Sequence, residues 1–97
     1  MVVASHSPES CGAHSHLREQ HATSQRKLAE VATAKGVTIQ GQWVDAPGHT
    51  AFSLVDAPNA HVIMEAIMDS GMMALWTCAI HPVILGANAL QAIPQVQ

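Results

Sequence analysis

With 97 residues, the chain is long enough for one domain whose modest hydrophobic core needs neither a structural metal nor disulfide bonds. Its formal net charge is −3 and it has only four lysine and arginine residues, so it cannot present the positive surface that nucleic acids require. No apolar stretch approaches the roughly 18 residues that span a bilayer, which argues against a membrane protein. We therefore expect neither nucleic acid nor membrane as a partner.

Cysteine usage indicates the cellular compartment. Cys11 and Cys78 fall in different predicted elements and match no disulfide framework of secreted proteins. The N-terminus also lacks the basic region and the long apolar run of a signal peptide. These features predict a cytoplasmic protein.

The first half of the chain predicts a strand, a loop and a helix. Residues 1–5 form a β-branched apolar run, and Pro8 disfavours helix directly after it. From Ser15 onward, apolar and small residues recur at steps of three and four, with charged residues on the other face. Gly36 is a typical end for this amphipathic helix.

A hairpin is predicted next. Residues 37–43 alternate between apolar and polar with Trp43 among the apolar positions, which is typical of a half-buried strand. Residues 45–48 then supply turn-forming aspartate, proline and glycine. The returning strand is predicted over residues 49–55.

The last third of the chain predicts a helix, a strand and a tail. Asp56 is the expected N-cap of a helix that ends near Gly71. Residues 74–85 are apolar at both alternating positions, as in a strand covered on two sides. The uncharged segment 86–97 is expected to be a C-terminal tail.

Together these elements have the order β-α-β-β-α-β of a ferredoxin-like fold, which belongs to the α+β class. We expect one domain over residues 1–85, with a four-stranded antiparallel sheet in the order 4-1-3-2 and two helices on one face. We expect the other face to carry the apolar residues Trp43, Leu75, Ala79 and Val83, and only 11% of the chain is charged. A homodimer packed through the open sheet face, as in a dimeric α/β barrel, would cover it.

Potential metal ligands concentrate near the N-terminus. The segment from residue 5 to residue 21 contains four of the seven histidines and one of the two cysteines. In the predicted topology, strand one ends beside the start of strand three, so His6 and His49 should approach each other and Cys11. Imidazole and thiolate bind borderline transition metals, so the sequence predicts a site for zinc, nickel or copper. The predicted ligands are His6, Cys11 and His49, with His14 or His16 as a further ligand.

The sequence also fits other interpretations. The histidines near the N-terminus are also compatible with a solvated loop that caps the helix. An enzyme that acts on a small organic molecule would use His6 or His49 as proton shuttle and Cys11 as thiol, with an apolar cavity reaching them. Methionines of the second helix offer ligands to Cu(I), although they are more typical of a core. A small accessory subunit would dock on a larger assembly through its tail.

Three short segments carry a family resemblance. The run His-Ser-Pro-Glu-x-Cys at residues 6–11, together with residues 36–43 and 46–52, resembles a group of small bacterial ferredoxin-like proteins. They belong to the dimeric α/β-barrel assemblage, which also includes a nickel-binding group. The resemblance implies the same fold, dimerisation, and His6, Cys11 and His49 as the functional set.

Overall fold

The structure, a computed structural model, describes residues 1–96. The four strands are β1 (Val2–Ser5), β2 (Thr38–Asp45), β3 (Thr50–Asp56) and β4 (Thr77–Ile80). The helices are α1 (Ser15–Ala34), α2 (Ala60–Ser70) and a short α3 (Ala89–Ala92). The order from β1 to β4 is the predicted β-α-β-β-α-β arrangement, so the ferredoxin-like α+β fold is confirmed.

The sheet has the order β2-β3-β1-β4, and every neighbouring pair is antiparallel. This is the predicted order 4-1-3-2. At the end of β1, Ser5 lies opposite Thr50 of β3 and Thr77 of β4. Residues that follow β1, precede β3 or precede β4 therefore meet at one pole of the molecule.

The core lies between the two long helices and one face of the sheet. Its buried apolar residues are Val2, Ala4, Ala32, Val37, Ala66, Ile67 and Leu75. Three of these seven are alanines, which fill little volume where the helices meet the sheet. A cavity of about 220 Å³ remains between the layers.

An irregularity in strand β2 separates the faces on which Ile39 and Trp43 lie. The pairing with β3 shifts register between Ile39 and Gly41, as at a β-bulge. Ile39 pairs with Val55 on the helix side, whereas Trp43 pairs with Phe52 on the open side. The indole of Trp43 is 55% exposed on the open face, where the sequence predicted it, whereas Leu75, predicted on the same face, is only 8% exposed and belongs to the core.

Gly41 lies directly beside the side chain of Trp43. A Cβ at Gly41 would lie 2.6 Å from the indole Cη2 of Trp43, closer than carbon atoms can approach. Gly41 therefore lets the indole lie flat along its own strand. The result is an exposed aromatic surface on the open face of the sheet.

Strand β4 is shorter than the strand predicted over residues 74–85. The segment Met72–Ala74 forms a 3-10 turn instead. At the other end, Pro82 has no backbone N–H for a ladder, and the partner strand β1 has only four residues. Thr77 and Ala79 are exposed, so β4 is not covered on two sides within one chain.

The two long helices end where glycines predicted, but the N-cap of α2 is not the predicted residue. Helix α1 ends before Gly36 and helix α2 ends before Gly71, each with positive φ, as predicted. The N-cap of α2 is Asn59, whose Oδ1 accepts a hydrogen bond of 3.0 Å from the N–H of Val62. The predicted cap, Asp56, is wrong because it belongs to β3 and Pro58 precedes the helix.

Beyond β4 the chain exposes its apolar side chains. Exposed large apolar residues after position 80 are Val83, Ile84, Leu85, Leu90, Ile93 and Val96, with exposures from 53% to 91%. Among the described residues, no helix has the length and apolar character needed to cross a bilayer.

Candidate metal centre

The ends of two neighbouring strands bring two histidines together. His6 directly follows β1 and His49 directly precedes β3. The backbone N–H of His6 donates to the carbonyl of His49 at 3.1 Å, and their ring centroids are 5.1 Å apart. The approach of these two rings, which the topology predicted, is therefore present.

The hairpin turn sets the position of His49. Its φ is 51°, in the left-handed region that histidine adopts more readily than most residues. The N–H of His49 donates to the carbonyl of Ala46 at 3.2 Å, and the N–H of Gly48 donates to Oδ1 of Asp45 at 3.0 Å. His49 thus belongs to the turn, and the prediction that it begins the strand is off by one residue.

A compact turn presents Cys11 to the same pole. Pro8–Ser10 forms a 3-10 turn, and the N–H of Cys11 donates to the carbonyl of Pro8 at 3.3 Å. The carbonyl of Cys11 accepts from the N–H of His14 at 3.1 Å, and its Sγ accepts from the N–H of Ala13 at 3.4 Å. These backbone contacts place the sulfur at the end of the loop between β1 and α1.

Candidate ligand atoms of His6, Cys11 and His49 all lie within 4.8 Å of one another, and each residue is half-buried. Nδ1 of His6 lies 2.8 Å from the carbonyl of Ser7. Because a carbonyl only accepts, Nδ1 carries the proton and leaves the lone pair of Nε2 available. Nδ1 of His49 is buried without a hydrogen-bond partner among residues 1–96. Such an unpaired atom costs about 1–3 kcal/mol.

Two residues that the sequence did not single out for the site lie against it. His21 of α1 is only 8% exposed, and its Nε2 donates to the carbonyl of Ser10 at 2.6 Å. The ring of Trp76 packs edge-on against His6 at 4.3 Å and against His21 at 5.7 Å, centroid to centroid. His21 occurs on the apolar side of the helix pattern, so periodicity predicts a core residue and gives no sign of its contact with the loop.

Gly12 completes this arrangement by allowing a close approach. A Cβ at Gly12 would lie 3.3 Å from Cδ2 of His21, so the loop rests directly on the imidazole. His21 therefore supports the loop on both sides of Cys11, through Ser10 and through Gly12.

The remaining histidines lie outside the cluster. His14 and His16 are exposed, and Nε2 of His14 lies 2.9 Å from the carbonyl of Pro8. His14 occupies the N-cap position of α1 without a side-chain capping bond, so the capping interpretation fails for this residue. His81 pairs with Met1 at the opposite pole, where its N–H donates to the Met1 carbonyl at 2.7 Å, and His61 lies near the start of α2.

The methionines do not form a core as their spacing indicated. Met64, Met68 and Met73 are 42%, 54% and 62% exposed. Met72 is half-buried and borders the cavity between helices and sheet.

Fold and site together define a small ferredoxin-like α+β protein with a His/Cys cluster at one pole. Residues 12–97 match the family model described as "Domain of unknown function (DUF3303)", and the chain belongs to this family. No curated protein and no solved structure shows significant similarity to the chain. The matched segment contains His49 but begins directly after Cys11, so the run from His6 to Cys11 lies outside it.

Proposed function

We propose that this protein binds a transition metal ion through His6, Cys11 and His49, for sensing, sequestration or delivery. The observation that carries the proposal is the convergence of three ligand atoms within 4.8 Å. Metal–nitrogen distances near 2.0–2.1 Å and metal–sulfur distances near 2.3 Å place tetrahedral ligand atoms about 3.4–3.6 Å apart. Side-chain rotations that move the atoms by about 1 Å would therefore complete the geometry.

The chemistry of the donors supports the same proposal. Two imidazoles and a thiolate suit zinc, nickel or copper better than calcium or magnesium, which prefer oxygen ligands. The Ser7 carbonyl holds the proton of His6 on Nδ1, the orientation by which metal-binding histidines are usually fixed. A bound cation would also give the cluster a partner for the unpaired nitrogen of His49.

Three protein ligands leave a fourth coordination position available. Structural zinc sites are closed by four protein ligands, whereas sites that exchange ligands keep one position open. His14 or His16 remains a predicted fourth ligand, and His14 would first have to release the Pro8 carbonyl. An open position favours transient binding over a purely structural metal.

The enzyme alternative receives less support from the cavity. It requires an apolar cavity that reaches the histidines and the thiol. The cavity between helices and sheet is apolar, but in the described part of the chain its walls include none of the three residues. Trp76 stands between the cavity and His6. The metal proposal therefore accounts for the cluster better than catalysis on a ligand in the cavity.

Protection of Cys11 from alkylation tests the proposal. We expect Zn²⁺ to slow the reaction of Cys11 with iodoacetamide at least tenfold, because a ligating thiolate is not available as nucleophile. Both cysteines are free thiols within residues 1–96, so Cys78 serves as internal control in the same sample. Burial raises the pKa of the Cys78 thiol, so it should react slowly with and without metal. Peptide mass spectrometry measures both rates, and an unchanged rate at Cys11 would refute the ligand assignment.

We also propose a homodimer through the open sheet face. Trp43 is 55% exposed on this face, beside half-buried Phe52 and Leu54. Exposed apolar patches rimmed by polar residues mark interaction surfaces. The alternative of docking through the exposed apolar tail predicts instead a monomer until its partner is added.

The substitution Ala79→Asp tests the dimer with little risk to the fold. Ala79 is exposed on the open face of β4, so a carboxylate there disturbs no core contact. We expect the variant to be monomeric at concentrations where the wild type is dimeric, because the interface would bury an unpaired charge. Sedimentation equilibrium measures the mass, with Ala34→Asp on α1 as control. A monomeric wild type, or an equally dimeric variant, would contradict the proposed interface.

A further inference from the structure

A cavity lies between the helices and the sheet. Its volume is about 220 Å³. Well-packed interiors contain few voids larger than a water molecule, and an engineered apolar cavity of about 150 Å³ is large enough to bind benzene. The present cavity therefore has space for a bicyclic ring.

Small residues on both layers create this space. The cavity is lined by alanines from both layers, among them Ala32 of α1, Ala66 of α2 and Ala51 of β3. A protein under selection for packing alone would gain stability from larger residues here.

The walls indicate the chemistry of an occupant. None of the described residues that line the cavity is charged. The polar walls are Ser24, which is 7% exposed, Gln25, and the pair Gln42 and Ser53, in which Nε2 of Gln42 donates to Oγ of Ser53 at 3.4 Å. The indole of Trp76 and the thioether of Met72 lie at the end near the metal centre. Such walls suit a flat apolar molecule with one or two hydrogen-bonding groups.

We propose that this cavity binds an uncharged, mostly apolar small molecule of bicyclic size. Val44 lines the cavity and is 71% exposed, which places an entrance at the end of β2. The proposal does not depend on the metal, because the cavity walls and the three candidate ligands are different residues.

The apolar tail of the chain is the competing occupant. However, it leaves β4, which lies at the opposite edge of the sheet from β2. It also leaves from the opposite pole, since His81 pairs with Met1 at the start of β1. The entrance near Val44 is therefore diagonally across the molecule from the origin of the tail, which favours a separate small molecule.

Titration of the full-length protein with indole tests this inference. Indole is bicyclic and uncharged and carries one N–H donor, and a chelator in all samples removes any contribution from metal. We expect amide chemical-shift changes that saturate and that map to residues around Ala51 and Ala66. In Ala51→Leu, which fills the cavity, we expect binding at least tenfold weaker. Ala34→Leu is the matched control and should bind as the wild type does.

A second filling variant guards against misfolding of the first. Ala32→Leu, at a position of α1 that is only 3% exposed and lines the cavity, should weaken indole binding in the same way. The proposal would be overturned if the wild type did not bind indole, or if both filled variants bound indole as tightly as the wild type. Equal affinity for indole-3-carboxylate would overturn the preference for an uncharged ligand. Binding only after Leu90→Ser and Ile93→Ser would assign the cavity to the tail instead.

Discussion

Replacement of Cys11 by serine is expected to lower the affinity for Zn²⁺ by more than about a hundredfold. Loss of a group that merely orients a ligand costs about 10–100-fold, and loss of one of three direct ligands should exceed this. A serine hydroxyl is not ionised at neutral pH and replaces a thiolate poorly. The expected cause is therefore a lost metal–sulfur bond and not a lost fold.

His49→Asn should have a comparable effect by a different route. Asparagine tolerates the left-handed backbone of this position, where φ is 51°, so the turn should be kept while the imidazole is removed. We expect a similar fall in Zn²⁺ affinity with little change in the unfolding temperature.

Metal analysis after equilibration with Zn²⁺ measures both variants. Absorption by Co²⁺-loaded protein gives an independent measurement, because thiolate-to-cobalt charge transfer requires the Cys11 sulfur. Cys78→Ser and His61→Asn are the controls, since neither residue belongs to the cluster. Metal content that is the same in the Cys11 variant and in the controls would remove Cys11 from the site.

His21→Ala is expected to destabilise the protein by about 2–3 kcal/mol. The variant loses the hydrogen bond to the Ser10 carbonyl and leaves a void beside Gly12 and Trp76. We also expect Zn²⁺ affinity to fall about tenfold, because the loop that carries Cys11 loses its support. His21 acts in this view as a positioning residue.

Rescue distinguishes positioning from a general loss of stability. His21→Gln can still donate a side-chain N–H toward Ser10, so it should recover much of the Zn²⁺ affinity even where the free energy of unfolding remains reduced. Urea unfolding and Zn²⁺ titration measure the two quantities, with exposed Gln20→Ala as control. Affinity that follows stability alone across these variants would contradict a specific role for His21.

Much of the fold could be predicted from local patterns. The three- and four-residue spacing in α1 predicted a buried side that includes His21, Ser24 and Ala32, and all three are buried. Gly36 and Gly71 marked the helix ends, because a residue with positive φ ends a helix most easily when it lacks a side chain. The length of β4 was predicted wrongly, because its apolar pattern continues to residue 85 whereas its partner strand β1 has only four residues.

Some contacts of the candidate site could also be predicted from the sequence, and others could not. The order of elements was enough to predict that His6 and His49 meet, because that order determines which strands are neighbours. The contacts of His21 and Trp76 could not be predicted, because a helical period does not show which loop rests on a given side chain. The bulge at residue 40 could not be predicted either. Apolar and polar residues alternate without interruption through this segment, so the sequence gives no sign of the register shift.

Sequence by itself thus determined the class of fold, the order of the strands and the residue types that could hold a metal. These features depend on local periodicity and on the order of elements along the chain, both of which are visible in the sequence. Only the tertiary structure decided that the three ligand atoms converge, that a bulge interrupts β2 and that a cavity remains beneath the helices. These features depend on the register between strands and on the volume left between layers, to which residues distant in the chain contribute together.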